Sequence, residues 1–558
     1  MKNLNIPVGI SDFEKIQKNG YYYIDKSTLI STLLQTESTE VTLITRPRRF
    51  GKTLAMSMLA SFFDIRKDSR PFFEKLDIGQ NTGICEKWLN QWPTIFFTFK
   101  DIDGLNFQDA YEMLETMFSF LFQQYDFLLG SERVTEYDKI TFQKIVSRSA
   151  SLAEIKTSLL LLTKVLCAHY QKPVILLMDE YDVPVAKAST NGYYQEMLNV
   201  IKAIMGTALK DNPSLKFAVI TGCLKITKES IFTGTNNFVS DSISSNRLNE
   251  YFGFTEEDIQ KLLHDAGLEK HLSEIKQWYD GYHFGDLDVY CPWDVMNYVH
   301  DLQINPGAVP ESYWKNTSDN AIIRSFIDYA GSNITKKLET LLSDQPIVQK
   351  VEENLTYDYL HASEDNLWSV LYLTGYLTKA IPDQSEIVLP EKEESLLIIP
   401  NAEIREIFET TIKKWFDDTA RSWDRKLLFH AIWSGDNETA TSEMNKLLRK
   451  TISYHDYKED FYHAFFAGIF ADAGYSVESN KEDGEGRSDV IVCAPENGQV
   501  AVFEVKYTDN PQKLSDECDV ALRQIDERMY AKEFEDAYDQ VLCYGIAFFK
   551  KRCMIKKK

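Results

Sequence analysis

Apolar residues in the first half of the chain follow two rhythms. Val41–Thr45 (VTLIT) reads as a short strand, and Thr94–Phe99 (TIFFTF) is β-branched and aromatic. Val174–Met178 (VILLM) and Phe217–Thr221 (FAVIT) are unbroken apolar runs, the pattern of strands covered on both faces. Between these runs the period changes. Lys52–Phe63 places Leu54, Met58, Leu59 and Phe62 at helical spacing, and Phe107–Leu128 and Leu152–Tyr170 read as helices. Strand–helix alternation of this kind predicts a three-layer α/β sandwich around a mainly parallel sheet.

From about Tyr251 the texture shifts. Thr255 opens an amphipathic helix within Phe254–Ala266, with acids in its first turn. Helices dominate through Leu342, broken by the turn-rich WYDGYHFGDLDVYCPWD. LYLTGYLT and SLLIIP predict a small sheet between Val370 and Pro400, and a helix follows at Ala402–Phe416. Thr419–Asp456 is helical and polar, and beyond it the order is helix, strand, strand, helix. The expected division is a nucleotide-binding domain at 1–250 and a mainly helical middle with a small sheet at 251–415. A helical connector at 416–455 and a last α/β domain at 456–558 complete it.

A chain of 558 residues is too long for one hydrophobic core, and 44% hydrophobic with 26% charged residues fits a folded protein. The 8 cysteines are scattered without C-x-x-C spacing, so neither a zinc knuckle nor a disulfide framework is signalled. MKNLNIPVGISDFEKI lacks the apolar core of a secretion signal, and Leu159–Ala168 is broken by Lys164. A cytoplasmic protein without a membrane partner is expected. Net charge of −23 repels phosphate-rich partners on average, so nucleic acid would need a local basic patch. The one dense basic stretch, KKRCMIKKK, reads as a solvated terminus.

Chemistry concentrates at two places. TRPRRFGKT follows the first strand and ends in Gly51, Lys52 and Thr53, the close of a phosphate-binding loop. There backbone amides at a helix N-terminus hold phosphate, the lysine reaches the terminal phosphates, and the hydroxyl ligates Mg2+. Arg46 stands where G-x-x-x-x-G-K-[ST] wants glycine, and Pro47 donates no amide. Arg48 and Arg49 add charge beside the phosphates. VILLMDEYD sets Asp179 and Glu180 at the end of a buried strand, where Asp179 would hold Mg2+ and Glu180 would activate water. Thr221 ends another strand, placed to sense the terminal phosphate. Arg247, in DSISSNRLNEYFGF, has two readings, an arginine finger or a salt bridge.

The second place is GEGRSDVIVCAPENGQVAVFEVKYTD. Asp489 opens one strand, and Glu504 and Lys506 share a face of the next. A hairpin at Pro495–Gly498 brings the carboxylates together to bind Mg2+, or Mn2+, through oxygen. Lys506 would then position water or stabilise a pentavalent phosphate.

IPVGISDFEKI, YYYIDKSTLI, TRPRRFGKT, ILLMDEYDVP, TGCLKITKESIFTGTNNF, YFGFTEEDI, WYDGYHFG and LWSVLYLTGYLT occur in that order. Together they resemble the bacterial AAA-ATPase-like family, whose members commonly carry a C-terminal PD-(D/E)XK nuclease-like domain. The resemblance implies a P-loop NTPase sandwich, a helical middle compatible with a winged helix, and a restriction-endonuclease-like α/β domain. That family's RPRRFGK loop lacks the first glycine, and it brings Phe50 into the nucleotide site. It implies a further acid at Glu459 and a Q-I-x-x-x-x-Y signature at Gln524 beside Asp489, Glu504 and Lys506. The expected function is ATP binding and hydrolysis coupled to a Mg2+-dependent nuclease, on DNA in preference to RNA, with self-association into a homo-oligomer left open. The alternative is a nucleotide-driven switch whose nuclease-like domain only binds DNA or a protein.

Overall fold

The computed structural model describes residues 4–35, 40–225, 238–314, 332–355, 363–380, 394–422, 426–450, 466–471, 473–479, 490–549 and 552–558. The chain divides into two compact units, Met1–Asp319 with Pro346–Glu406, and Asn320–Gln345 with Ile407–Lys558.

The first unit is built on five parallel strands: β1 (Val41–Thr45), β2 (Thr94–Thr98), β3 (Val174–Asp179), β4 (Leu215–Gly222) and β5 (Phe238–Asp241). Their spatial order is β2-β3-β4-β1-β5. Every residue of β1 and β3 is buried, because both sheet faces are covered. One face, with Val41, Leu43, Leu176, Met178, Ala218 and Ile220, packs on helices Phe107–Gln123, Ser158–Tyr170 and Tyr194–Leu209. On the opposite face, helix Lys52–Phe63 brings Phe63 to Phe217, ring centroids 5.6 Å apart. The three-layer sandwich expected from the alternation is therefore present. Residues Leu152–Tyr170 form two helices rather than one, Leu152–Lys156 and Ser158–Tyr170, joined at Thr157.

The same unit continues into helices Glu256–Ala266, Leu272–Tyr279 and Pro292–Ile304 around a hairpin of β6 (Tyr282–Phe284) and β7 (Leu287–Val289). Thr255 caps the first of these through Asp258 in a capping box. A small antiparallel sheet, order β8-β10-β9, joins β8 (Ile347–Lys350), β9 (Thr378–Lys379) and β10 (Glu394–Ile398). The strand expected from LYLT is instead the end of helix Glu364–Leu373, buried on every side over residues 367–373, where its apolar run mimics a strand. Gly375, at φ 88°, then turns the chain into β9.

The second unit has a five-stranded sheet in sequential order: β11 (Ser476–Ser479), β12 (Val490–Ala494), β13 (Gln499–Tyr507), β14 (Gln540–Phe549) and β15 (Arg552–Lys557). Only β13 and β14 pair in parallel; the other neighbours are antiparallel. Ala501, Phe503 and Val505 face a core shared with Phe466 and Phe470. The alternate residues of β13 face helix Leu514–Glu527, where Val502 meets Ile525. Gly545 permits that helix to lie close, since a Cβ there would come within 2.4 Å of the Cys518 carbonyl oxygen.

The basic tail is not the solvated terminus that its charge suggests. It forms β15, with Cys553 and Ile555 buried. Lys556 Nζ reaches Asp519 Oδ1 at 2.7 Å, and Lys558 pairs with Asp526. Acids of helix Leu514–Glu527 thus neutralise the patch.

Candidate functional site

The loop Arg46–Gly51 leaves the C-terminal end of β1, and helix Lys52–Phe63 begins behind it. Arg46 solves the missing-glycine problem by extending the strand. Its backbone amide donates to the Gly222 carbonyl at 3.2 Å, so no glycine conformation is needed at this position. Its side chain is fully buried. The guanidinium donates to the Thr45 and Asp241 carbonyls at 2.9 and 3.0 Å, and lies 3.9 Å from the Asp241 carboxylate. The rings of Phe252 and Phe284 each sit 5.5 Å away. Burial pulls its pKa down to about 10, offset by Asp241, so it stays charged at neutral pH. Asp241 also accepts from Arg247 Nε at 2.7 Å, which places Arg247 in a salt bridge.

This arrangement carries a counter-intuitive expectation. Arg46→Gly restores the usual loop spacing, yet it should destabilise the first unit by about 3 kcal/mol. That is the low end for breaking a buried ion pair, because Arg247 still serves Asp241. The first unit's urea midpoint reads the loss; an unchanged or raised midpoint contradicts it.

Left-handed backbone at Arg49 (φ 72°) and Gly51 (φ 84°) curls the loop on either side of Phe50. Such residues shape anion-binding nests. Lys52 is buried, and its Nζ donates to the Arg46 and Pro47 carbonyls at 2.9 and 2.8 Å, holding the amine inside the curl. Thr53 Oγ1 donates to Asp179 Oδ2 at 2.7 Å, and Thr221 Oγ1 donates to Asp179 Oδ1. The helix that follows the loop and strand β4 therefore converge on one carboxylate of β3. The 2.7 Å between Thr53 and Asp179 oxygens is close to the ~3 Å between neighbouring corners of a Mg2+ octahedron with arms of about 2.1 Å. These hard oxygen donors fit that ion.

Glu180 follows with φ 53°, a strained backbone for a residue with a side chain. The strain is held by what comes next. Tyr181 N–H donates to the Thr221 carbonyl at 3.1 Å, and Tyr181 Oη donates to the Leu224 carbonyl at 2.9 Å. Asp182 Oδ2 accepts from the amides of Cys223 and Leu224, both at 3.0 Å. Gly222 has no space for a Cβ, which would lie 2.7 Å from Tyr181 and Asp182. Tyr181 and Asp182 were not singled out in the sequence; their place inside DEYD was the available signal. Burial and then Asp179 raise the Glu180 pKa, while Lys52 and Arg48 oppose the shift.

The loop arginines divide. Arg48 is exposed and its charge reaches Glu180. Arg49 turns to the helical part of the unit, donating to the Trp314 carbonyl at 3.1 Å with its guanidinium 5.3 Å from the Trp314 ring and 5.8 Å from Trp293. Phe50 is buried edge-on to Tyr282, centroids 4.9 Å apart.

In the second unit, Glu504 is fully buried and its Oε1 accepts from Lys506 Nζ at 2.9 Å. Both lie on the face of β13 that helix Leu514–Glu527 covers, and half-buried Gln524 belongs to that helix. Glu459 and Asp489 lie outside the described residues. Gly498 (φ 63°) turns the chain between β12 and β13, whose antiparallel register pairs Val490 with Phe503, one residue from each predicted carboxylate.

Two family matches cover these same regions. Residues 7–232 match the family described as predicted AAA-ATPase, and residues 457–558 match the PD-(D/E)XK nuclease superfamily. By these matches the chain carries a stretch similar to AAA-ATPases, whose parallel sheet is consistent with a P-loop NTPase fold, and a C-terminal stretch similar to PD-(D/E)XK nucleases. A protein of Azotobacter chroococcum mcd 1, named "Uncharacterized protein in vnfD 5'region", is 22% identical over 560 residues, covering 98% of this chain and 97% of that protein. Among the described residues no helix is long and apolar enough to cross a membrane.

Proposed function

We propose that the protein binds and hydrolyses ATP in the first unit and uses the nucleotide state to control a metal-dependent nuclease site in the second. The observation that carries the first half is the meeting of Thr53, Thr221 and Asp179 beside Lys52 and Glu180. In this reading Lys52 and the loop amides bind the phosphates, and Thr53 and Asp179 hold Mg2+. The ion would neutralise charge developing on the phosphates. Glu180 orients and deprotonates water, and Thr221 follows the terminal phosphate. In the second unit Glu504, with Asp489, would hold the metal, and Lys506 would stabilise the phosphodiester in transit. Gln524 and Glu459 would support that site.

ATP hydrolysis by the full-length protein, measured with and without DNA, tests the coupling: stimulation supports it, and identical rates oppose it. Lys52→Ala should weaken ATP binding about 10- to 100-fold, the worth of a charge-assisted phosphate contact. Unchanged affinity would sink the nucleotide reading. The alternative, a nucleotide-driven switch whose nuclease-like domain only binds, draws support from the net charge of −23, which disfavours a constitutive grip on DNA.

A further inference from the structure

Two acids with no task in the hydrolysis scheme are buried side by side in the first unit. Asp294 lies in the first turn of helix Pro292–Ile304, and Glu403 in the first turn of helix Ala402–Ser422. Both are 0% exposed. Glu403 Oε1 accepts from the Trp314 amide at 2.7 Å. Glu403 Oε2 and both Asp294 oxygens have no such donor among the described residues; the Cys291 thiol beside Asp294 is a weak one. Yet the two carboxyl groups hydrogen-bond to each other, side chain to side chain. Two carboxylates cannot do so, because each only accepts; one of the pair must carry a proton.

Charge leads to the same count. Two adjacent buried carboxylates repel each other strongly, whereas one shared proton leaves the pair with a single negative charge. The cation that acts on both acids is Arg49 of the phosphate loop. Trp314 ties the two sides together: its amide serves Glu403, and its carbonyl accepts from Arg49 at 3.1 Å. The guanidinium lies 5.3 Å from the Trp314 ring and 5.8 Å from the ring of Trp293, the residue before Asp294. Packing leaves little slack here, since a Cβ at Gly375 would lie 3.0 Å from Pro47 of the loop and 3.1 Å from Trp314. Tyr279, Tyr282 and Cys291 also face the pair; burial raises the pKa of each, so they stay neutral.

We propose that Asp294 and Glu403 share one proton, and that the single negative charge left on the pair anchors Arg49 and so holds the left-handed turn of the phosphate loop. Asp294, Glu403 and Arg49 are then positioning residues, which set the loop amides without touching phosphate. The effect on ligands rests on the nucleotide reading above; the shared proton does not. Burial, and then Asp294, push the Glu403 pKa up, burial raises that of Asp294, and Arg49 opposes both shifts. The unfolded chain releases the same proton in the ordinary carboxyl range. Stability contributed by the pair is therefore full below that range and is lost as pH rises through the raised value.

Infrared difference spectra of the full-length protein at neutral pH read the proton. Wild type minus Glu403→Gln, and wild type minus Asp294→Asn, should each show the carbonyl stretch of a protonated carboxyl group. Either substitution supplies a fixed amide donor and leaves the other acid ionised. Relative to both variants, the wild-type urea midpoint of the first unit should fall as pH rises. Calorimetric titration with Mg2+–ATP and with inorganic tripolyphosphate reads the anchor. The Asp294→Asn/Glu403→Gln double variant keeps no charge for Arg49. It should bind both ligands at least about 10-fold more weakly than either single variant, the usual cost of losing a partner that orients a binding group. Arg49→Met frees the loop from the other side and should give the same loss, whether or not the double variant folds. Absence of the protonated band from either difference spectrum overturns the proposal, as does a folded double variant or Arg49→Met that binds both ligands as tightly as wild type. Failure of the nucleotide reading looks different: Lys52→Ala then changes neither ligand's affinity, while the band remains.

Discussion

Glu180→Gln leaves ATP bound and slows its hydrolysis by about 10²–10⁴-fold, the usual worth of a general base. The amide keeps the size of the side chain, so the strained turn at φ 53° and the Tyr181–Asp182 clamp behind it remain. What is lost is the ability to take a proton from water. The pH dependence has a definite sign. Burial and then Asp179 raise the pKa of this carboxyl above that of an ordinary glutamate. The base must be ionised to act, so kcat/KM falls as pH drops through that raised pKa, and its acid limb lies above the ordinary glutamate range. Arg48→Ala removes a charge that opposes the shift and should move the limb further up. A steady-state pH profile of wild type and Arg48→Ala checks both. A Glu180→Gln enzyme within a factor of ten of wild type would assign the base elsewhere.

Glu504→Ala lowers DNA cleavage by on the order of 10²–10³-fold or more, the cost of removing one preorganised charged group from a phosphoryl-transfer site. Two effects act together. A carboxylate proposed as a metal ligand disappears, and Lys506 Nζ loses the acceptor it holds at 2.9 Å. Glu504→Gln keeps the shape and removes the charge, so it should fail to restore activity if metal binding is the role. The assay is cleavage of DNA with Mg2+ or Mn2+, with and without ATP. Wild-type protein that leaves DNA intact under every condition favours the binding-only alternative.

Much of the first unit was legible because its strands are covered on both faces. VTLIT spans the whole of β1, and VILLM lacks only Asp179 of β3. Thr53 and Asp179 belong to motifs with fixed places in such a sheet, and their side chains meet. Arg46 was illegible for a physical reason. Its partners Asp241, Phe252 and Phe284 are supplied by distant segments, and no local pattern announces a long-range ion pair. Arg49 shows the same limit: proximity in sequence to a phosphate loop does not decide whether a guanidinium faces phosphate or an indole ring. In LYLT, a helix buried all round and a buried strand look alike. In KKRCMIKKK, the alternation of Cys553 and Ile555 with charged residues was a real period-two signal, overshadowed by the density of lysine.

The placement of that tail has a practical side. β15 is the outermost strand, and without it the ten residues of β14 would present an open row of amides and carbonyls, a template for strands of other molecules. Its own outer edge is closed by helix Asn437–Lys450, where Asn445 and Thr441 pair with the amides and carbonyls of Cys553 and Ile555, which discourages edge-to-edge aggregation. An expression clone cut just before Arg552 would lose both protections at once, and an affinity handle fused directly after Lys558 would crowd the same border.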